Sequence, residues 1–124
     1  MRSWVEVSLG RIRANFRAVR AVVGAGVEIM PVVKADAYRH GAVAVSHALE
    51  GEGAEWLAVS NVGEGVALRE AGVAPRILVM ADFLPEVRGA FEEFRLTPVV
   101  HTLEDIAAVT RKASAPPITC SRLR

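Results

Sequence analysis

Apolar and polar residues along this chain follow two periods that hand over to one another repeatedly. Trp4, Glu6 and Ser8 alternate with Val5 and Val7, the two-residue period of a short strand. Leu9, Ile12, Phe16, Val19 and Val23 then recur at steps of three and four, with Arg11, Arg13, Arg17 and Arg20 largely on the other side. That spacing predicts an amphipathic helix of about four turns, ended by Gly24 and Gly26. Ile29 to Lys34 reads as a strand, and Ala42 to Glu50 as a helix with Val45, Ala48 and Leu49 inward. Glu55 to Val59 is a strand, and Glu64 to Ala71 a helix closed by Gly72. Arg76 to Met80 is a strand; Pro85 suits the first turn of a helix that buries Val87, Ala90, Phe91 and Phe94. Thr97 to Val100 is a strand, and Thr102 with Asp105 forms a capping-box pattern opening a helix through about Arg111. Ile118 opens a further strand.

Strands alternating with helices imply right-handed crossovers and a parallel sheet covered by helices. Trp56, Ile77, Pro98 and Thr119 fall 21 residues apart, a regular βα repeat. Periodicity alone leaves open whether the sheet is a closed barrel or a doubly wound open sheet. Pro31 sits awkwardly in its strand because proline has no N–H for a ladder bond; it fits best among the strand's first residues or at a local irregularity.

Composition narrows the function more than the fold. The chain has 124 residues, 52% hydrophobic and 23% charged, as expected of a globular domain with a real core. A net charge of +1 directs it neither to nucleic acid nor to an anionic membrane. The arginines of the first helix read as a solvated face, since no aromatic or glycine-rich binding element accompanies them. Cys120 is the single cysteine, which excludes an intrachain disulfide and fits a reducing compartment. The first residues form no secretory signal, and Val22 to Val33 is broken by glycines, Glu28 and Pro31, so a cytoplasmic location is expected. The cysteine and histidine spacing offers no zinc pattern, and no P-loop, G-x-G-x-x-G or Ser-His-Asp set is present.

Candidate chemistry concentrates in Met30-Pro31-Val32-Val33-Lys34-Ala35-Asp36-Ala37-Tyr38-Arg39-His40-Gly41. An apolar run with two valines ends abruptly at Lys34, and titratable side chains crowd in before the next helix. In parallel sheets reactive groups collect just beyond the carboxyl ends of strands. Lys34 and Lys112 are the only lysines among 15 basic residues. A lysine amine, unlike a guanidinium, loses its proton readily when desolvated and serves as a nucleophile.

This stretch resembles the pyridoxal-phosphate lysine motif of alanine racemases, whose N-terminal domain is a (β/α)8 barrel. The similarity runs from about Trp4 to about Ile118 and includes Trp56 to Ser60, Leu68-Arg69-Glu70-Ala71-Gly72 and Ile77-Leu78-Val79-Met80. The resemblance implies that Lys34 holds pyridoxal phosphate through a Schiff base. It also implies that Lys34 is one of two bases exchanging the α-proton of alanine, with the cofactor as electron sink. It implies further that the Tyr38 hydroxyl donates to the cofactor phosphate and that Val32 and Met80 line the cofactor pocket. Asp36 reads as capping the loop or orienting Lys34, and His40 as a satisfied structural group. The family's usual glycine between the tyrosine and histidine is Arg39 here, which either strains the loop, shifts Tyr38 or supplies a cation for phosphate.

The expected fold is therefore α/β: a partial (β/α)8 TIM-type barrel of four to five βα units with a parallel sheet. A whole barrel takes about 250 residues. Residues 1–118 are expected to be the N-terminal part of the barrel domain. Residues 119–124, Thr119-Cys120-Ser121-Arg122-Leu123-Arg124, stand where the family continues K-x-D-T-G-M-x-R-L-G, and read as a tail outside the family pattern. The resemblance implies a homodimeric enzyme acting on alanine, with the opposite-face base, a tyrosine, supplied by the second domain of the partner. The expectation for this truncated chain alone is little or no racemase activity. The alternatives are a non-catalytic pyridoxal-phosphate-binding barrel protein and an inert structural fragment.

Overall fold

The computed structural model describes residues 3–112. The first helix, α1 (Leu9–Val23), starts where the Ser8 hydroxyl accepts from the Arg11 amide at 3.3 Å. It stops at Gly24, whose φ of 82° an L side chain would resist. Phe16 is its buried residue, with Leu9 and Ile12 packed partly against the core. The strand expected over Trp4 to Ser8 does not form. Trp4 is 82% and Val5 86% exposed, and an alternating pattern with no neighbouring strand has no ladder to join.

The strand expected over Ile29 to Lys34 contracts to a single parallel bridge between Val32 and Ala58. The Val33 amide donates to the Ala58 carbonyl and the Ala58 amide to the Pro31 carbonyl, both at 2.9 Å. Pro31 adds no donor, and the chain leaves the ladder at Lys34, so pairing ends after one step. The chain continues through α2 (Lys34–Arg39), α3 (Ala42–Glu50), β1 (Trp56–Val59), α4 (Val62–Glu70) and β2 (Arg76–Val79). A 3-10 turn at Pro85–Val87 leads into α5 (Arg88–Glu93), then β3 (Leu96–Pro98) and α6 (Leu103–Lys112). The strand expected at Ile118 lies outside the described residues.

The three strands are parallel in the order β1-β2-β3. Trp56 pairs with Arg76 and Ile77 with Leu96, so the structural repeat is slightly shorter than the 21-residue spacing read from the sequence. The sheet's two faces differ. Val33, Leu57, Val59, Ile77, Val79 and Leu96 alternate onto the face beneath the helices and are buried. Val32, on the opposite face, is 41% exposed, and Leu78 and Thr97 beside it are half-buried. An all-parallel sheet is stable with both faces covered. Here the helices cover one face, and the other is the inner wall that a barrel closes upon.

Two devices fasten the helices. Gly65 lets α4 lie against β3, since a Cβ there would stand 3.0 Å from the Leu96 side chain. Arg69, in the L-R-E-A-G stretch, donates to the carbonyls of Phe94, Val73, Pro75 and Arg95 at 2.7–3.1 Å, riveting the loops before β2 and β3. Burial pulls its guanidinium below its ordinary pKa. At α6 the capping box forms as read: Thr102 Oγ1 accepts from the Asp105 amide at 3.1 Å, and Asp105 Oδ2 from the Thr102 amide at 3.2 Å.

Candidate functional site

The ladder continues past the strand ends: the Met80 amide donates to the Val59 carbonyl, Ala81 to Ser60 and Val99 to Val79, at 2.9–3.1 Å. Extending the observed register by these steps puts Ser60, Met80 and Val99 in one row at the carboxyl end of the sheet, with Lys34 opening α2 two residues after the Val32 bridge. Alternation along the paired residues puts Val32 and Met80 on the inner face, opposite the helix-covered one. Lys34 and Met80 are half-buried. Two of the four expected site residues, Val32 and Met80, thus share one face, and Lys34 stands just past the carboxyl end of the bridged stretch.

The backbone directly after Lys34 is the most unusual feature of the molecule. Ala35, Asp36, Ala37, Tyr38 and Arg39 have φ of 51°, 56°, 50°, 53° and 69°, so α2 is wound left-handed, without a glycine. Left-handed winding costs an L residue roughly 1–2 kcal/mol, which over the stretch sums to the order of 5–10 kcal/mol. Such a segment persists only where its surroundings over-determine it, and such strain gathers at functional sites.

Several contacts hold it. Ala37 is buried in the core, and its amide donates to the Val33 carbonyl at 2.9 Å. Asp36 Oδ1 accepts from the Ala42 amide at 2.8 Å, capping α3, while the Gly41 amide donates to the Asp36 carbonyl. His40 Nδ1 lies 2.8 Å from the Ala37 carbonyl and 3.1 Å from that of Tyr38. Both carbonyls only accept, so Nδ1 carries the proton and His40 is a structural donor. Glu64 is the group that sequence reasoning missed. Its Oε1 accepts from the Ala35 amide and its Oε2 from the Ser60 amide, both at 2.7 Å. A carboxylate 29 residues from its partner leaves no local signature; an acidic residue in a first helical turn reads as ordinary dipole complementation.

Tyr38 ends up 56% exposed, beyond the row. Its hydroxyl has no hydrogen bond among the described residues. Arg39 is exposed and takes the positive φ that the family's glycine would take freely. An apolar cleft of about 250 Å³ between α1, α2 and α3 is lined by Ile12, Val32, Val33, Ala37 and Leu49. It lies behind the turn and contains neither Lys34 nor Met80. Among the described residues no three His, Cys, Asp or Glu side chains group as a metal site, and no helix is long and apolar enough to cross a membrane.

The donor set suits a group captured by an amine. Lys34 makes no ion pair among the described residues, so its amine is not committed to a carboxylate; an apolar wall flanks it and a phenol hydroxyl follows four residues on. Parallel strands with helices on one face define a segment of a (β/α)8 barrel, with Lys34 just past the carboxyl end of its first bridged stretch.

Residues 7–121 match the family model described as alanine racemase, N-terminal domain. The chain belongs to that family. It is 43% identical over 100 residues to an alanine racemase of Synechocystis, covering 80% of this chain and 27% of that protein. Against the alanine racemase of Carboxydothermus hydrogenoformans it is 45% identical over 101 residues, 82% of this chain and 27% of the relative. Among solved structures, alanine racemase of Clostridium difficile in complex with cycloserine superposes with a TM-score of 0.83 at 32% identity, covering 87% of this chain and 30% of that one. The Bacillus anthracis enzyme with bound L-Ala-P gives 0.80 at 32% identity, covering 90% and 29%. The chain therefore spans under a third of the relatives it matches, and its architecture is that of a partial TIM-type barrel.

Proposed function

We propose that this chain carries the lysine-bearing part of a pyridoxal-phosphate-dependent alanine racemase, an isomerase interconverting L- and D-alanine for peptidoglycan synthesis. The observation that supports this most is Lys34, half-buried just past the carboxyl end of the bridged stretch and followed by a strained, latched turn. When bound, pyridoxal phosphate supplies the electron sink that makes the α-proton of alanine labile. Lys34 would hold the cofactor covalently and then, as a free amine, take or return a proton at the alanine α-carbon on one face. Tyr38, four residues on, would donate its hydroxyl to the cofactor phosphate. Val32 and Met80 would supply apolar contact along the wall and keep water from the reacting carbon. Residues 1–118 form the barrel part in this reading, and 119–124 a tail.

The test is chemical capture. Purified protein mixed with pyridoxal phosphate and reduced with borohydride should gain one pyridoxyl group on the tryptic peptide containing Lys34, and Lys34→Ala should gain none there. Racemisation of L-alanine by the 124-residue polypeptide alone should be little or none, because a racemase needs a second base on the opposite face. Modification spread evenly over Lys34 and Lys112 would sink the reading. Turnover approaching that of an intact racemase would sink the division of labour.

A further inference from the structure

We infer that Glu64 is the positioning residue for Lys34, latching the left-handed turn to the sheet. The inference rests on the reading of Lys34 as the cofactor lysine, but its first measurement needs no cofactor. Most hydrogen bonds that hold the turn are local. Asp36 to Ala42, Gly41 to Asp36, and His40 to Ala37 and Tyr38 all join residues of one short segment and would move with it. They shape the turn without fixing where it stands. The segment is tied to the sheet at Val33, by the Ala58 bridge, and at Ala35, by Glu64. These two ties bracket Lys34.

Glu64 is suited to this task. It sits in the first turn of α4, whose start is set by the Asn61 side chain accepting from the Glu64 amide at 2.9 Å. Its carboxylate turns back past its own helix to Ser60, which continues β1, and across to Ala35. One carboxylate thereby joins the residue next to the lysine to Ser60 at the end of β1. Amide bonds to a carboxylate are short and roughly twice as strong as neutral ones. No arginine or lysine pairs with Glu64 among the described residues, so backbone amides hold its charge. The two carboxylate oxygens accept one bond each, whereas a glutamine offers one acceptor and turns an N–H toward the other donor.

The experiment compares wild type with Glu64→Gln and Glu64→Asp, the latter keeping the charge but falling one methylene short. Asp82→Asn is the control: Asp82 accepts from the Val62 amide at 3.2 Å at the same rim and does not touch the turn. Without cofactor, amide exchange at Ala35 should quicken roughly tenfold or more in both Glu64 variants, by loss of one charge-assisted bond. The HN–Hα couplings of Ala35 to Tyr38 should shift away from their positive-φ values. Asp82→Asn should change neither. With pyridoxal phosphate, borohydride-trapped adduct at Lys34 should form roughly tenfold more slowly in Glu64→Gln, with an altered absorption band, and at the wild-type rate in Asp82→Asn. Wild-type couplings and exchange in both Glu64 variants would overturn the inference, as would equal slowing by Glu64→Gln and Asp82→Asn. Absence of adduct in the wild type would overturn the cofactor reading and leave the positioning result standing.

Discussion

Replacing Arg39 by glycine should make this protein more stable. Arg39 has φ 69°, closes a left-handed run, and is exposed with no ion pair among the described residues. Its Cβ carries a cost of roughly 1–2 kcal/mol in that conformation. Glycine removes the cost but adds freedom to the unfolded chain, worth roughly 0.5–1 kcal/mol in the other direction. The balance is a gain of about 0.5–1 kcal/mol. For a domain of this size that raises the thermal midpoint by roughly 2–8 °C, readable by circular dichroism. Arg39→Ala separates the two parts of the side chain, because it discards the guanidinium and keeps the Cβ. It should stay within about 0.5 kcal/mol of wild type, as exposed substitutions usually do. A lower midpoint in both variants would refute the reasoning and show that the guanidinium, not the backbone, decides the position.

Ser46 is wholly buried on α3, and its hydroxyl has no hydrogen-bond partner among the described residues. Ser46→Ala should therefore stabilise by about 1 kcal/mol in urea unfolding, the scale of an unsatisfied buried polar group. Asp105 offers a pH dependence. Desolvation raises its carboxyl, but the His101 amide, the Thr102 side chain and amide, and Arg88 outweigh that and hold it below the ordinary range of an aspartate. A carboxylate depressed on folding adds stability that is fully present above its unfolded pKa and is lost as pH falls through the folded one. Asp105→Asn should accordingly unfold more easily than wild type at neutral pH. The gap should close as the pH falls below the ordinary aspartate range, and a gap that widened on acidification would contradict the assignment.

The helices were legible in the chain because each writes its period locally. Leu9, Ile12 and Phe16 give α1, Val45, Ala48 and Leu49 give α3, and Thr102 with Asp105 marks the start of α6. Strand existence was legible only where a neighbour was present to pair. Trp56 to Val59 found β2, whereas Trp4 to Ser8 and most of Ile29 to Lys34 have the right alternation and no ladder. The family was readable from Lys34 and the residues after it. Its conformation was not, because Ala35 to Arg39 each favour the opposite hand and the contacts that overrule them come from elsewhere. Glu64 was invisible for the same reason: its meaning lies in Ala35 and Ser60, one of them 29 residues away.

The hand of α2 has a consequence for the order of assembly. A right-handed helix begins to form on its own from local preference, but this turn has no such head start at any of its five strained residues. It can gain more than it loses only after β1 has offered Ala58 as a partner and α4 has brought its carboxylate within reach. The residues after Lys34 should therefore take their left-handed conformation late in folding, as the scaffold closes around them. By the same reasoning the turn is the first place to let go under mild denaturant, opening while the sheet and the helices behind it are still intact.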